Sequence, residues 1–180
     1  MRELIEDALK NQSADYIEVR VEEKQSTRIA YRGKNLEEIG RSTGIGGCVR
    51  AAYRGGWGFV SFNDLDELRD KVSLAISQAR LVGKEKTYLA EVDPVVRICE
   101  SFSKSNPQLI SLQEKKSILD EYNNIMWKAA DLQTSSIGYG DGHRKTFFAN
   151  NQGTYIEQGR SDVNVGLSAM VKNGNEVQQA

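Results

Sequence analysis

Apolar residues recur with two different periods along the chain, and these periods predict where helices and strands lie. Between residues 4 and 9 they follow the spacing of one helix face. Between residues 15 and 23 they alternate with polar residues, as in a strand with one buried face. A second helical pattern begins at Asn63 or Asp64, either of which can cap it, and ends at Gly83. The amino-terminal part therefore predicts strands framed by two helices.

About five sequential strands are predicted between these helices. After residues 15–23 they are 25–32, 35–42 and the two arms of a hairpin within residues 44–62. The connections between them are too short for the crossover that parallel strands require, so most of the sheet is predicted to be antiparallel. We expect the two helices to cover this sheet and residues 1–83 to form one unit.

A second unit is predicted at residues 111–180, beyond a weakly periodic stretch. Residues 84–110 are interpreted as a connecting arm. Ser111, with Glu114 three residues later, is typical of a capping box at the start of a long amphipathic helix. The strands predicted after this helix are 134–140, 144–150, 154–159 and 162–171. The pattern predicts an α+β fold, with a mostly antiparallel sheet covered by helices, followed by a helix plus antiparallel strands.

The sequence ends soon after a strong hairpin signal. Asn173-Gly174 is a turn dipeptide, and residues 176–180 would begin the returning strand. A strand that begins and then stops within a few residues indicates a chain cut before a further carboxyl-terminal domain. Short edge strands also close complete proteins, so that alternative stays open.

A glycine-rich stretch over residues 40–62 supplies the centre of the predicted sheet. Its Gly55-Gly56 dipeptide is a hairpin turn signal, because the central residues of such turns need positive φ. Trp57, Phe59 and Phe62 follow the turn and are expected in the core, where large aromatic side chains bury the most surface.

The same stretch carries a resemblance to a known family. Its motifs are Ala14-Asp15-Tyr16-Ile17-Glu18-Val19-Arg20, Gly44-Ile45-Gly46-Gly47-Cys48-Val49-Arg50 and Trp57-Gly58-Phe59. This spacing of glycines and aromatics resembles the amino-terminal domain of the TldD/PmbA family, whose members are described as metallopeptidases or as modulators of DNA gyrase. The third motif is more similar to the TldD branch. The structural signature taken from the resemblance is Gly44, Gly46, Gly47, Arg50, Gly56, Trp57, Gly58 and Phe59.

The resemblance also implies where metal chemistry would lie. Family members thought to be active carry a His-Glu motif with a second His one helical turn away, which holds zinc beside a general base. This chain has one histidine, His143, which follows Asp141-Gly142 and is interpreted as a surface turn residue. We therefore assign no catalytic or metal-binding residue and expect no cofactor in this chain. Zinc is expected only in the missing carboxyl-terminal part.

Two functions are compatible with these observations. By resemblance, the chain is the amino-terminal, non-catalytic part of a zinc-dependent metallopeptidase acting on unfolded peptides. It would contribute to a chamber wall, to homo- or heterodimerisation with a family member and to peptide presentation at a strand edge. The alternative is a non-catalytic protein-binding module of the gyrase-modulator type without peptidase activity. In either case, Arg50 is predicted to serve an interface or peptide binding more than stability.

The balance of charges argues against a nucleic-acid partner. Lys and Arg number 24 and Asp and Glu number 25, giving a formal net charge of −1 over 180 residues. No global field therefore draws the chain toward nucleic acid or a membrane surface. Six basic residues could still converge on one sheet face: Arg28, Arg32, Lys34, Arg41, Arg50 and Arg54. We expect neighbouring carboxylates to neutralise them, namely those of Glu18, Glu22, Glu37 and Glu38.

The compartment is inferred from cysteine usage and from the lack of a long apolar segment. Cys48 and Cys99 are expected to be buried free thiols, as in a reducing environment. Acidic residues interrupt the first ten positions, so these do not form a signal peptide. The apolar runs are far shorter than the roughly 20 residues that span a bilayer. We therefore expect a cytoplasmic protein without a membrane partner.

Overall fold

The computed structural model describes residues 1–85, 88–100 and 106–180. Its α-helices are α1 (Arg2–Leu9), α2 (Leu68–Val82) and α3 (Leu112–Met126), and Pro107–Leu109 forms a short 3-10 helix. Its strands are β1 (Tyr16–Arg32), β2 (Asn35–Tyr53), β3 (Gly56–Phe62), β4 (Val96–Cys99), β5 (Leu132–Asn150), β6 (Tyr155–Asn173) and β7 (Glu176–Gln179).

The strands form one seven-stranded sheet in the order β3-β2-β1-β5-β6-β4, with β7 paired to β6. The β2–β3 and β6–β7 pairs are antiparallel, whereas β4 runs parallel to β6. Strand β3 lies at one edge of the sheet. The predicted α+β class, with a mostly antiparallel sheet and helices, is confirmed.

Several segments predicted as separate strands are continuous. Residues 15–23 and 25–32 form the single strand β1, and residues 35–42 join the first arm of the hairpin to form β2. The polar residues Glu23, Lys24 and Gln25 suggested a break between strands, but they continue β1 as exposed positions. An extended backbone accepts polar side chains without interruption where neither face is covered, so polarity alone did not mark a turn.

Contacts between Cα atoms group the chain into two units. Unit 1 consists of Met1–Lys24, Gly44–Ser101 and Arg144–Arg160, and unit 2 of Gln25–Thr43, Phe102–His143 and Ser161–Ala180. Each unit is thus assembled from separate stretches of sequence. The assignment of domains to 1–83, 84–110 and 111–180 stays a prediction. Within the predicted arm, Val96–Cys99 forms β4, whereas residues 86–87 and 101–105 lie outside the described residues.

In unit 1, α1 and α2 cover one face of the sheet. Ile5 and Ala8 of α1, and Val72, Ala75 and Ile76 of α2, are buried in the same cluster as alternate residues of the strands. Those strand residues are Ile17, Val19, Val21, Val49, Ala51, Phe62, Phe147, Ala149 and Tyr155. The opposite face of the unit 1 sheet, which we call the open face, carries the intervening residues of each strand.

Helix α2 begins later than the sequence predicts. Its first residue is Leu68, and Glu67 precedes it with φ of 51° and no side-chain cap. Asp64 instead accepts hydrogen bonds from the Asp66 amide at 3.1 Å and the Lys71 ammonium at 2.5 Å. The prediction of a cap at Asn63 or Asp64 is therefore wrong, because Asp64 organises a turn before the helix. The predicted end at Gly83 is confirmed.

In unit 2, the predicted capping box of α3 is confirmed. The Ser111 hydroxyl accepts from the Glu114 amide, and the Glu114 carboxylate accepts from the Ser111 amide. Leu119 of α3 packs in a small core that also contains Ile29, Tyr31 and Ile137.

Beside that core, Lys115 and Asp141 form a buried ion pair. Both side chains are 3% exposed, and the ammonium lies 2.5 Å from the carboxylate. The Tyr139 hydroxyl donates to the same Asp141 oxygen at 2.7 Å. The local sequence does not mark Lys115 as a buried residue, so its burial is visible only in the folded chain.

Candidate functional site

The glycines of β3 decide which of its side chains reach the surface. Gly56 and Gly58 lie beneath α2, where an added Cβ would come within 2.2 Å of the Ala79 carbonyl oxygen and 1.9 Å of the Ala75 carbonyl oxygen, respectively. Because successive side chains of a strand point to opposite faces, Trp57 and Phe59 are directed to the open face. The backbone of α2 thus occupies the space that side chains would fill on the covered face.

Two of the three aromatics expected in the core are therefore on the surface. Trp57 is 41% exposed and Phe59 is 56% exposed, so the prediction that they are core residues is wrong. Phe62 is buried, as predicted. An aromatic side chain exposed to this extent on an uncovered sheet face is available for contact with another molecule.

The hairpin that presents these aromatics turns one residue earlier than predicted. Its central residues are Arg54 and Gly55, with φ of 45° and 80°, and Gly56 already pairs with Tyr53 in the ladder. Positive φ at both central positions corresponds to the type I′ geometry that favours two-residue hairpins. Gly56 is thus required by the approach of α2 and not by the turn.

The other signature glycines differ in how tightly they are packed. A Cβ on Gly47 would lie 2.3 Å from the Arg20 carbonyl oxygen, and one on Gly46 would lie 3.1 Å from the Phe62 carbonyl oxygen. Around Gly44, no described atom outside its chain neighbours lies within 4 Å of the added Cβ. A functional role for the signature residues stays a prediction, but steric requirements account for Gly47, Gly56 and Gly58.

Arg50 lies at the centre of a polar and aromatic network on the open face. Its guanidinium is 3.1 Å from the Glu18 carboxylate and lies 5.1 Å from the centre of the Trp57 ring. The Tyr16 hydroxyl donates to Glu18 at 2.8 Å, and the Tyr16 and Trp57 rings meet edge to face at 6.2 Å. Phe59 is the cross-strand neighbour of Arg50. The network holds Arg50 and Trp57 in fixed orientations at a surface.

Partial burial also changes the ionisation of two neighbouring groups. It raises the pKa of Tyr16, and the hydrogen bond to Glu18 raises it further, so the phenol stays protonated as a donor. Burial likewise raises the pKa of the Cys48 thiol. Cys48 is therefore poorly suited to act as a nucleophile, since the thiolate is the reactive form.

Further residues extend this surface across β1, β5 and β6, and the sequence alone does not identify them. A groove of about 520 Å³ is lined by Arg20, Glu22, Arg144, Thr146, Phe148, Ile156, Gln158 and Arg160. The alternation of apolar and polar residues along these strands already indicated which residues lie on each face of the sheet. The missing information was the pairing of β1 with β5, which brings residues more than a hundred positions apart onto one face.

The expected neutralisation of the sheet arginines is present as ion pairs. Glu18 pairs with Arg50, and Glu22 lies 3.7 Å from Arg144 on the open face of unit 1. In unit 2, Glu37 pairs with Arg32 and Glu38 with Arg28. Arg41 donates instead to the Ile110 carbonyl oxygen at 2.7 Å.

The single histidine occupies a strand and not a turn. His143 lies within β5, half-buried, and its Nδ1 atom is 2.9 Å from the Ser161 hydroxyl. The prediction of a surface turn is wrong because Asp141-Gly142 continues the strand. Over the described ranges, no three His, Cys, Asp or Glu side chains are placed to hold a metal ion together. These residues therefore do not fit a zinc site, and no metal-dependent step can be assigned to them.

Both cysteines are free thiols and half-buried, less enclosed than the core positions expected for them. In residues 1–85, 88–100 and 106–180, no helix has the length and apolar character needed to cross a membrane.

Comparison with known proteins places most of the chain in two related domain families. Residues 17–79 match PmbA/TldA metallopeptidase domain 1, and residues 105–180 match the PmbA/TldA metallopeptidase central domain. A metalloprotease of Synechocystis sp. is 36% identical over 167 residues, which cover 92% of this chain and 36% of that protein. A metalloprotease of Methanocaldococcus jannaschii is 28% identical over 149 residues, or 79% of this chain and 33% of that protein.

Solved structures share the fold at lower identity. A protein of Bacteroides thetaiotaomicron described as a proposed modulator of DNA gyrase superposes with a TM-score of 0.77 at 15% identity, over 99% of this chain and 43% of its own. TldE of Thermococcus kodakarensis superposes with a TM-score of 0.69 at 16% identity, over 98% of this chain and 40% of its own. The chain spans about a third of the length of the two metalloproteases.

Proposed function

Because the chain belongs to the PmbA/TldD metallopeptidase family, we propose that it is the amino-terminal, non-catalytic part of a zinc-dependent peptidase and contacts unfolded peptide substrates through its open face. Zinc and the cleavage chemistry would then belong to a further part of the protein. A cytoplasmic location, a chamber-wall role and pairing with another family member are parts of the same proposal.

The observation that carries this proposal is the exposure of Trp57 and Phe59 on the open face. Burying both on the other side would satisfy the hydrophobic effect, yet Gly56 and Gly58 close that side against α2. Exposed aromatic rings held by a polar network suit contact with apolar side chains of varied sequence, since aromatic residues dominate binding energies at interfaces. Such a surface fits a protein that handles unfolded chains.

The edge of β3 offers a second means of contact. The Phe59 amide donates to the Gln78 side chain of α2 at 3.0 Å, so it points away from β2 and is already occupied. An added peptide strand would have to displace Gln78 at that position. We therefore assign the larger share of peptide contact to the open face and a smaller share to the strand edge.

The proposal can be tested with the fluorescence of Trp57. The chain has two tryptophans, so Trp127→Phe leaves Trp57 as the sole reporter. We expect a tryptophan-free, uncharged and unfolded peptide to shift its emission to shorter wavelength as the ring is desolvated. Phe59→Ala in this background should weaken binding about fivefold or more, as expected for an aromatic contact residue.

Leu81→Ala provides the matched control, because Leu81 is a highly exposed apolar residue on α2 and not on the open face. It should leave peptide affinity unchanged. Absence of any emission shift, or equal losses in both variants, would contradict the proposal.

The catalytic part of the proposal requires a separate measurement. Zinc content and cleavage of an unfolded peptide should be compared between this chain and the full natural gene product. Both should appear only in a longer product. If a longer product shows neither zinc nor cleavage, the non-catalytic protein-binding module of the gyrase-modulator type becomes the better interpretation.

A further inference from the structure

The groove on the open face combines basic and apolar groups from three strands. Arg20 comes from β1, Arg144 and Phe148 from β5, and Ile156 and Arg160 from β6. Its volume of about 520 Å³ lies within the range of sites that take small ligands or short peptide segments. Three guanidinium groups thus line one concave surface of unit 1.

The ion pair between Arg144 and Glu22 leaves Arg144 accessible to another anion. Glu22 lies 3.7 Å from Arg144, and both side chains are nearly half exposed, at 43% and 44%. An ion pair of this length and exposure is weak, so Arg144 can exchange Glu22 for another anion at little cost. With Arg20 and Arg144 alone counted against Glu22, this part of the lining carries a formal charge of +1.

Arg20 is oriented without using its charge in an ion pair. Its guanidinium lies 5.9 Å from the centre of the Phe148 ring, and no carboxylate of the described residues lies within 4.0 Å of it. Stacking on an aromatic ring restricts the guanidinium while its N–H groups can still donate in the ring plane. Arg50, on the same face, differs because Glu18 already pairs with it at 3.1 Å. The Arg20 guanidinium is therefore oriented and able to donate hydrogen bonds to an anionic group.

We propose that this groove binds acidic segments of unfolded peptides, with the guanidinium groups of Arg20 and Arg144 receiving peptide carboxylates while Phe148 and Ile156 contact neighbouring apolar side chains. The proposal rests on peptide binding by the open face and specifies which peptides are favoured. Planar guanidinium groups match carboxylates in two-point hydrogen bonding, which gives the preference a geometric basis.

A nucleic acid is the less suitable occupant of the groove. Its backbone carries about one charge per 1.7 Å and needs an extended basic track, whereas the chain as a whole has a formal charge of −1. Outside the groove, Arg28, Arg32 and Arg50 are engaged by glutamates. A few carboxylates separated by apolar residues suit the local excess of positive charge better.

The test compares two peptides that differ only in charge. One alternates Glu with apolar residues, and the other replaces each Glu by Gln; binding of both to the 180-residue chain is followed by fluorescence anisotropy. We expect the Glu peptide to bind about fivefold more tightly at low salt, and the difference to shrink as salt is added. Arg20→Gln and Arg144→Gln should each reduce the preference for the Glu peptide.

Arg28→Gln is the matched control, because it removes the same charge from an exposed arginine outside the groove. It should leave the preference intact, and thermal unfolding should show that all three variants fold. Equal binding of both peptides, with Phe59→Ala weakening each, would support peptide binding by the open face and overturn the acidic preference. Binding of neither peptide would overturn both. A single-stranded oligonucleotide is tested on the same proteins. If it binds when neither peptide does, and Arg20→Gln weakens that binding, the occupant of the groove is a nucleic acid and not a peptide.

Discussion

Gly58 shows how one residue without a side chain sets the function of its neighbours. The Ala75 carbonyl oxygen occupies the position where a Cβ would lie, so the backbone of α2 rests directly on β3. The same contact forces Trp57 and Phe59 outward to the open face. A requirement for close packing and a candidate binding surface therefore arise from one stretch of four residues.

Replacing Gly58 should be far more damaging than replacing Gly44. Gly58→Ala places a methyl group 1.9 Å from a backbone oxygen, so α2 must shift, and we expect a loss of about 3 kcal/mol or more in unfolding free energy. Gly44→Ala meets no described atom within 4 Å and should change it by less than about 1 kcal/mol. Urea denaturation of both variants gives the comparison. Equal unfolding free energies for the two variants would contradict the close contact between α2 and β3 at Gly58.

The buried pair of Lys115 and Asp141 should behave as a unit. Lys115→Met leaves the Asp141 carboxylate buried beside the Tyr139 hydroxyl without its cation and should cost about 3–5 kcal/mol of unfolding free energy. Adding Asp141→Leu removes the isolated charge and should recover most of this loss. Denaturant titration of the single and double variants at pH 7 measures both effects. A double variant no more stable than Lys115→Met would contradict this account.

Tyr155 should make stability fall at alkaline pH. Burial, together with the hydrogen bond that its hydroxyl donates to Glu157, raises the pKa of Tyr155 to about 12. In the unfolded chain, the phenol of this tyrosine ionises near pH 10. The stabilisation that Tyr155 contributes is therefore complete below pH 10 and is lost as pH rises toward 12. The loss attributable to this group should be about 2 kcal/mol. Tyr155→Phe should show a correspondingly smaller decline in unfolding free energy between pH 9 and 12, and parallel declines would argue against this.

Helix starts illustrate how far local sequence determines an element. The start of α3 is encoded by Ser111 and Glu114, which satisfy each other's exposed amides. The start of α2 is not encoded in this way, since Glu67 precedes it in a left-handed conformation without a side-chain cap. The turn that Asp64 organises precedes this start, and the helix then packs against β3.

The contribution of the α3 capping box can be measured directly. Ser111→Ala removes an acceptor for the Glu114 amide and should lower the unfolding free energy by about 1 kcal/mol. Ser117→Ala is the control, because Ser117 is exposed in the middle of the same helix. It should be neutral or slightly stabilising, since alanine favours helices. Thermal unfolding of the pair distinguishes a capping effect from a general effect of removing a hydroxyl group.

The distribution of charge over the whole chain predicts weak interaction with DNA. With a formal net charge of −1 and glutamates paired to the sheet arginines, the chain should not bind a duplex near physiological salt. Replacing Glu18, Glu22, Glu37 and Glu38 by Gln removes four negative charges and should produce salt-dependent, non-specific binding. Electrophoretic mobility shift assays with both proteins test this. Strong binding by the unmodified chain would indicate a basic surface that the described residues do not show.

Patterns confined to neighbouring residues were sufficient to predict the α+β class, most helices and several turns. Hydrophobic periodicity places α1 and α3, the capping box starts α3, and Gly83 ends α2, because each depends on groups only a few positions apart. The family resemblance rested on the same kind of local spacing. It located the region of the open face without indicating which side chains are exposed there.

Long-range packing determined the features that bear on function. Residues 56–59 alternate glycine with aromatic residues, and hydrophobicity alone favours burying the aromatics. Only the approach of α2 reverses this, because the helix backbone fills the space above the glycines. The burial of Lys115 and the basic groove likewise depend on partners distant in sequence, Asp141 in one case and the strands β1, β5 and β6 in the other. Such contacts join segments that are far apart in the chain, and the local sequence of one segment does not indicate which other segment it contacts.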